Sequence, residues 1–200
     1  GVLKNMGFVL NPYDKCIANK IIDGSQCTIA FYVDDNKISH RDPKGVTQVI
    51  QEIEKHFGKL TVNRGNKHNY LGMNITLKNK KVEVEMQKQI REAIQWYGGF
   101  GNTKLPTPAV KHLFLTNENA EILEASVSDR YHSVVAKLLY IAKRARPDIE
   151  PRVAFLCMQV SCPNADDWKK LGRLIGYLQN TIEDKRIIGA SSLISLITWV

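Results

Sequence analysis

The chain has 200 residues, of which 44% are hydrophobic, so its composition excludes an intrinsically disordered protein. Its 28 Lys and Arg against 20 Asp and Glu give a net charge of +8, which favours an anionic partner such as a nucleic acid, a phosphate or an anionic membrane surface. No apolar run reaches the ~18 residues of a membrane span, and no secretory signal is present at the start. The four cysteines form no Cys-x-x-Cys pair, which favours reduced thiols in an intracellular protein over a structural zinc site.

The first forty residues predict short strands joined by tight turns. Asp23-Gly24 is a hairpin-turn signal, and an apolar strand follows it at residues 27–32. This strand runs directly into Asp34 and Asp35, and residues 37–39 form a second short strand. The pattern predicts a hairpin with two carboxylates at its tip, and a buried tip would need a compensating charge such as a divalent metal. The alternative is a solvated Asp-Asp turn without a chemical role.

Two amphipathic helices are predicted in the first hundred residues. Pro43, which follows Asp42, opens the first helix, and Gly58 ends it. The second helix covers residues 86–97 and ends at Gly98-Gly99. Each helix has one apolar stripe, so each is expected to cover one face of a sheet.

Three further strands are predicted between these helices, at residues 59–62, 70–77 and 81–86. Asn79-Lys80 is the expected turn between the last two strands. Gly72 interrupts the alternation of the second strand, which is typical of a bulge or of a close approach by another backbone.

The second half of the chain is predicted to be mostly helical. Pro106 and Pro108 make the segment before it an extended connector. Ser128-Asp129 and Asn164 are expected helix caps, and Pro147-Asp148 restarts a helix between them. The apolar stretch from residue 187 onward has the composition of a new strand.

Several motifs follow one another along the chain in a characteristic order. A Tyr32-Val33-Asp34-Asp35 hairpin precedes an amphipathic helix, a Tyr70-Leu71-Gly72-Met73 hairpin and a Thr107-Pro108 connector. Farther along come Arg-Ala-Arg-Pro-Asp-Ile at residues 144–149 and Gly-Tyr-Leu-Gln-Asn-Thr at residues 176–181. This order resembles the reverse transcriptase of a copia-type LTR retrotransposon, and the resemblance covers nearly the whole chain. The Tyr-x-Asp-Asp motif alone is short, and the shared order makes the match specific.

The resemblance implies an α+β fold made of a partial polymerase palm and a helical region. Residues 1–100 would form the palm with its antiparallel sheet, 101–127 a connector, 128–186 a helical thumb or connection region, and 187–200 the truncated start of an RNase H-like strand. The family's fingers and first catalytic aspartate have no counterpart in this chain. We therefore expect a fragment of a longer polypeptide that does not polymerise on its own.

The resemblance assigns the chemistry to the acidic hairpin. Asp34 and Asp35 would be catalytic ligands of Mg²⁺ or Mn²⁺, and these metals lower the pKa of the primer 3′-hydroxyl and stabilise charge on the attacked phosphate. Tyr32 and Val33 would lie near the primer terminus, with ordinary strand packing as the alternative. The Tyr70-Leu71-Gly72 segment resembles a primer grip, with an ordinary bulge as the alternative.

The resemblance also implies polyanionic partners. These are an RNA or DNA template with its primer, a dNTP and the rest of the retrotransposon polyprotein, in a cytoplasmic particle or the nucleus and without a membrane. A solvated surface charge is the alternative for each candidate phosphate contact. These contacts are Lys78, Lys80, Lys81, Lys143, Arg144 and Arg146.

Three expectations remain open beside the polymerase interpretation. A remnant could bind nucleic acid without chemistry, and a pseudogene product would have no function. Because the fingers are missing, one side of the hairpin strand is expected to expose an apolar patch near Ile29 and Phe31, or else to leave the N-terminal segment disordered.

Overall fold

In the computed structural model, which describes residues 1–99, 105–110 and 115–189, two antiparallel sheets organise the fold. Backbone contacts divide the chain into two compact units, Gly1–Gly65 and Asn66–Val200, which we call the hairpin unit and the helical unit. Each combines one sheet with helices, so the predicted α+β class is confirmed. Among the described residues, no helix is both long and apolar enough to cross a membrane.

The hairpin unit is a four-stranded sheet in the order β1-β2-β3-β4, with helices before and after it. Asp23 and Gly24 have φ angles of 47° and 73°, which confirms the predicted turn between the second and third strands. The Asp42 side chain accepts a hydrogen bond of 2.8 Å from the Lys44 amide, as predicted for the start of the last helix. The elements are α1 Val2–Asn5, β1 Val9–Leu10, β2 Ile17–Ile22, β3 Ser25–Tyr32, β4 Asp35–Ser39 and α2 Pro43–Phe57.

One face of this sheet forms the core of the hairpin unit. Ile29 is only 1% exposed, and Phe31 is half-buried against the same cluster. The expected exposed patch at Ile29 is therefore wrong, because side chains from the N-terminal segment and from α2 cover this face. The buried cluster consists of Met6, Phe8, Ala18, Ile22, Cys27, Ile29, Val49 and Ile53.

The helical unit has a second antiparallel sheet, in the order β5-β6-β7-β8, packed with four α-helices. A turn of 3₁₀-helix at Pro147–Ile149 precedes the third of these helices. The elements are β5 Lys67–Tyr70, β6 Met73–Lys78, β7 Lys81–Glu85, α3 Gln87–Tyr97, α4 Ala125–Arg144, α5 Glu150–Met158, α6 Ala165–Asn180 and β8 Arg186–Gly189.

The boundaries differ from the sequence predictions in three places. No strand within the described residues pairs with residues 59–62, which are therefore not a strand, and β5 lies where a polar loop was expected. Helix α4 begins before Ser128-Asp129, so that pair is not its cap. The Asn164 cap of α6 is confirmed by a reciprocal capping box with Asp167.

The expected segmentation and the observed units place their boundaries differently. The prediction grouped residues 1–100 as one region, whereas the contacts place residues 66–99 with the C-terminal helices. Strand β8 pairs with β7 in this same sheet. The remainder of the predicted strand at 187–200 lies outside the described residues from residue 190 onward. The assignment of these segments to palm, connector and thumb stays a prediction.

Candidate active site

A two-residue turn, Val33-Asp34, joins β3 to β4. The pairing of Tyr32 with Asp35 closes the turn, and Val33 has a φ angle of 51°. Tight hairpin turns often need a positive φ at their first central residue, where glycine is the usual choice. A β-branched residue in this conformation costs about 1–3 kcal/mol, and such strain concentrates at functional sites.

The turn projects both carboxylates into solvent. Asp34 and Asp35 are exposed, and Tyr32 and Val33 are 56% and 85% exposed. The predicted burial of the tip is wrong, because Phe31 is the last side chain of β3 that packs against the core. The exposed positions also mean that neither Tyr32 nor Val33 serves as core packing of the strand.

The donor set fits a hard divalent cation only in part. Mg²⁺ commonly binds one or two protein carboxylates together with phosphate oxygens of a substrate. Asp34 and Asp35 would provide the two carboxylates. Within the described ranges, however, no three His, Cys, Asp or Glu side chains are grouped closely enough to hold a metal ion. Asp23 lies at the opposite end of β3, in the β2–β3 turn, so it cannot supply a third ligand.

The face of the sheet that carries Asp35 is polar rather than apolar at its centre. The Thr28 hydroxyl donates to Asn19 Oδ1 over 2.7 Å, and Gln26 Nε2 donates to Thr28 Oγ1 over 3.0 Å. Lys37 follows Asp35 on this face, where desolvation lowers the pKa of its ammonium group. A carboxylate, a half-buried cation and a row of hydrogen-bonding groups therefore share one surface next to the turn.

The second predicted site segment forms the turn between β5 and β6. Tyr70 pairs with Met73, and the turn residues Leu71 and Gly72 have φ angles of 50° and 71°. Gly72 is thus a turn residue and not a bulge inside a strand, which corrects the prediction. The neighbour at Gly72 is a side chain and not the backbone that was expected, since a Cβ on Gly72 would lie 2.8 Å from Nε2 of Gln89.

The candidate phosphate contacts fall into two groups in the helical unit. Lys78, Lys80 and Lys81 are exposed around the Asn79-Lys80 turn between β6 and β7. The others lie at or after the C-terminal end of α4. There Lys143 pairs with Glu150, while the Arg144 guanidinium lies 3.7 Å from the centroid of the Tyr140 ring.

Arg146 departs from its predicted role. Its guanidinium is 2% exposed and donates to both carboxylate oxygens of Asp148, at 2.9 and 2.7 Å, and to the carbonyl and hydroxyl of Thr181. Tyr177 also donates to Asp148, over 2.9 Å. Burial raises the pKa of Asp148, but the hydrogen bonds from Arg146 outweigh it and leave this pKa below its ordinary value. Arg146 thus stabilises the helical unit and presents no free guanidinium to a phosphate.

Two helix residues that contact the β5–β6 turn were not predicted from the sequence as site residues. Tyr140 donates a hydrogen bond of 2.7 Å from its hydroxyl to the Leu71 carbonyl, and the Gln89 amide packs against Gly72. The only sequence signal was the spacing of four residues between Tyr140 and Arg144, which places both on one side of a helix.

Comparison with known proteins supports a transposon origin. No family model matches the chain, and no solved structure matches it. The sequence is 28% identical over 182 residues to a Saccharomyces cerevisiae protein named "Putative transposon Ty5-1 protein YCL074W". The match covers 90% of this chain and 57% of that protein, so the chain spans little more than half of the relative's length. The similarity indicates a retrotransposon-derived sequence.

Proposed function

We propose that the chain is part of an RNA-directed DNA polymerase of a copia-type retrotransposon, with the Val33-Asp34 turn at its polymerase site. The observation that carries this proposal is the pair of exposed carboxylates, Asp34 and Asp35, at a strained turn on the end of a half-covered sheet. The net charge of +8 and the similarity to a transposon protein support it. Polymerisation itself is proposed for a longer parent protein.

In this proposal the residues of the turn divide the work. Asp34, within the turn, is the direct ligand of Mg²⁺ or Mn²⁺, and Asp35 is the secondary ligand. The bound metal would activate the primer 3′-hydroxyl and neutralise charge on the attacked phosphate. The exposed ring of Tyr32 packs against the terminal base pair, and Val33 borders it.

The helical unit supplies contacts to the nucleic-acid backbone. Tyr70, Leu71 and Gly72 form the primer-binding turn, and the exposed lysines around Asn79-Lys80 bind phosphates of the template–primer duplex. The other partners are a dNTP and the remainder of the retrotransposon polyprotein.

Primer extension tests the proposal. The protein would be this chain joined to the upstream part of its own reading frame, assayed on an RNA template with a DNA primer. We expect Asp34→Asn to lower the extension rate on the order of a thousandfold, since a metal-bound carboxylate contributes several kcal/mol. Asp23→Asn is the matched control, because it makes the same change at the other end of β3. Full activity of the Asp34→Asn protein would refute the assignment.

The alternative is a module that binds nucleic acid without chemistry. It is favoured by one observation, that no third carboxylate joins Asp34 and Asp35 among the described residues. It predicts salt-dependent binding of a duplex by this chain that neither Mg²⁺ nor Asp34→Asn changes. The polymerase proposal instead predicts that Mg²⁺ strengthens binding in the original chain and not in the variant.

A further inference from the structure

The β5–β6 turn has a conformation that its own residues do not favour. Leu71, which has a bulky side chain, lies at a φ of 50°, and only the following Gly72 suits such a backbone without cost. Such a turn persists when the surrounding structure fixes it. Contacts from two helices provide this restraint.

Helix α4 holds one side of the turn through a single side chain. The Tyr140 hydroxyl donates a hydrogen bond of 2.7 Å to the Leu71 carbonyl, across 69 positions of sequence. Tyr140 is 39% exposed, so its ring lies at the surface rather than in the core. Helix α3 contacts the other side, where a Cβ on Gly72 would lie 2.8 Å from Nε2 of Gln89 and would displace that amide.

The same tyrosine carries a cation on its ring. The Arg144 guanidinium lies 3.7 Å from the Tyr140 ring centroid, and its Nη1 also reaches the Tyr140 carbonyl at 3.5 Å. The hydroxyl of one tyrosine therefore holds the turn while its ring holds the arginine. The Tyr140 side chain therefore contacts both Arg144, over its ring, and the turn, through its hydroxyl.

Arg144 differs from the basic residues beside it in having no acidic partner. Lys143 pairs with Glu150, and Arg146 pairs with Asp148. No carboxylate within the described part of the chain forms an ion pair with Arg144. A guanidinium that lies over a ring and lacks a carboxylate is well suited to bind a phosphate from outside.

We infer that Tyr140 is a positioning residue that fixes the Leu71-Gly72 turn and holds Arg144 beside it, so that the turn and the arginine bind a nucleic-acid backbone as one unit. The inference rests on the proposed function and deepens it, because it names how the primer-binding turn is kept in place. Tyr140 itself need not touch the nucleic acid.

Two variants of the full chain separate the two contacts of Tyr140. Tyr140→Phe removes the hydroxyl and keeps the ring under Arg144, whereas Arg144→Gln removes the charge and keeps the hydroxyl. Tyr13→Phe, at a residue that is 98% exposed in the hairpin unit, is the control for the loss of a hydroxyl. The double variant completes a cycle that measures the coupling between the contacts.

Hydrogen exchange of the free protein tests the positioning step. We expect Tyr140→Phe to accelerate exchange of the amides in residues 67–78, while Arg144→Gln and Tyr13→Phe leave these rates unchanged. Unchanged exchange in Tyr140→Phe would overturn the inference, whatever the protein binds.

Binding of a labelled RNA–DNA hybrid with a recessed 3′ end, measured at several salt concentrations, tests the coupling. Arg144→Gln should weaken binding and reduce the salt slope by about one. Tyr140→Phe should weaken binding by about three- to tenfold, as expected for one hydrogen bond, at an unchanged thermal midpoint of the core. The double variant should bind more tightly than the two separate losses predict.

The outcomes distinguish this inference from the function on which it rests. Faster exchange in Tyr140→Phe combined with unaltered affinity would show a purely structural tyrosine and would refute the inference. If the original chain shows no salt-dependent binding of the hybrid, the proposed function fails together with the binding part of this inference, whereas faster exchange in Tyr140→Phe would still show that Tyr140 fixes the turn.

Discussion

The hairpin unit and the helical unit differ in how many side chains they bury. In the described residues, the hairpin unit buries a cluster of eight side chains on one face of its sheet, whereas the core cluster of the helical unit contains twenty. A domain of about 60 residues buries little surface and is only marginally stable. A β-branched residue with a positive φ, Val33, and the two exposed carboxylates nevertheless lie in this smaller unit.

The smaller unit thus has features that do not add to its stability. Val33 adopts an unfavourable conformation and Asp34 faces solvent, and neither feature strengthens the hairpin unit. In the helical unit, the buried guanidinium of Arg146 is paired with the Asp148 carboxylate. Under the proposed function, the metal-binding carboxylates lie in the smaller unit, and the helical unit contributes contacts to the nucleic-acid backbone.

Core truncation should produce the largest effect and the clearest contrast. Ile29 and Leu138 are both at most 1% exposed, and Ile29→Ala or Leu138→Ala should cost about 2–5 kcal/mol. Since a unit of this size has roughly 3–10 kcal/mol of stability, Ile29→Ala should remove about half of it and accelerate hydrogen exchange throughout the hairpin unit. Leu138→Ala should leave the helical unit folded with a lower midpoint of unfolding.

Two probes follow the units separately. All three tryptophans, Trp96, Trp168 and Trp199, come after residue 65, so fluorescence in urea contains no signal from the hairpin unit. Hydrogen exchange across residues 17–39 reports the hairpin unit. If Ile29→Ala also shifts the fluorescence midpoint, the two units do not unfold independently and the contrast fails.

The buried ion pair gives an intermediate effect. Asp148→Asn leaves the Arg146 guanidinium, which is 2% exposed, without its carboxylate. We expect a loss of about 2 kcal/mol in the helical unit, less than for a fully enclosed pair because the Asp148 side chain is 38% exposed. Glu150→Gln is the control, since it breaks the exposed pair with Lys143 and should cost at most about 1 kcal/mol.

The same pair predicts a dependence on pH. The folded state holds the pKa of Asp148 below its ordinary value, so the contribution of the pair is complete above the unfolded pKa of about 3.9. It is lost as the pH falls through the lower, folded pKa. The difference in stability between the original chain and Asp148→Asn should therefore be constant near neutral pH and shrink below about pH 4. A difference that grows on acidification would contradict the pairing.

Sequence patterns predicted best those elements whose ends carry their own chemical signal. Asp42 and Gly58 mark the two ends of α2, and Asn164 marks the start of α6, because caps act within one turn of helix. Residues 59–62 have strand-favouring side chains but no partner among the strands that the structure describes, and pairing depends on distant parts of the chain. The same limitation concealed β5, whose strand character comes from its pairing with β6.

The candidate site was predictable to the same extent. The acidic hairpin was recognisable because its turn and strands are local in sequence, but its exposure depends on where the core ends at Phe31. The burial of Arg146 depends on Thr181, which is 35 positions away and carries no signal for it. The contact from Tyr140 to Leu71 spans an even longer separation, so only the folded chain reveals it.

The smallest expected effect tests the strain at the acidic turn. Val33→Gly should stabilise the hairpin unit by about 1 kcal/mol, because relief of the positive φ outweighs the greater entropy that glycine has in the unfolded chain. Ala30→Gly is the matched control on β3, where φ is negative and the same change should cost about 0.5–1 kcal/mol. Hydrogen exchange across residues 25–39 measures both. Destabilisation of equal size by the two substitutions would mean that Val33 is not strained. The proposed function would then lose the support that it takes from a strained turn.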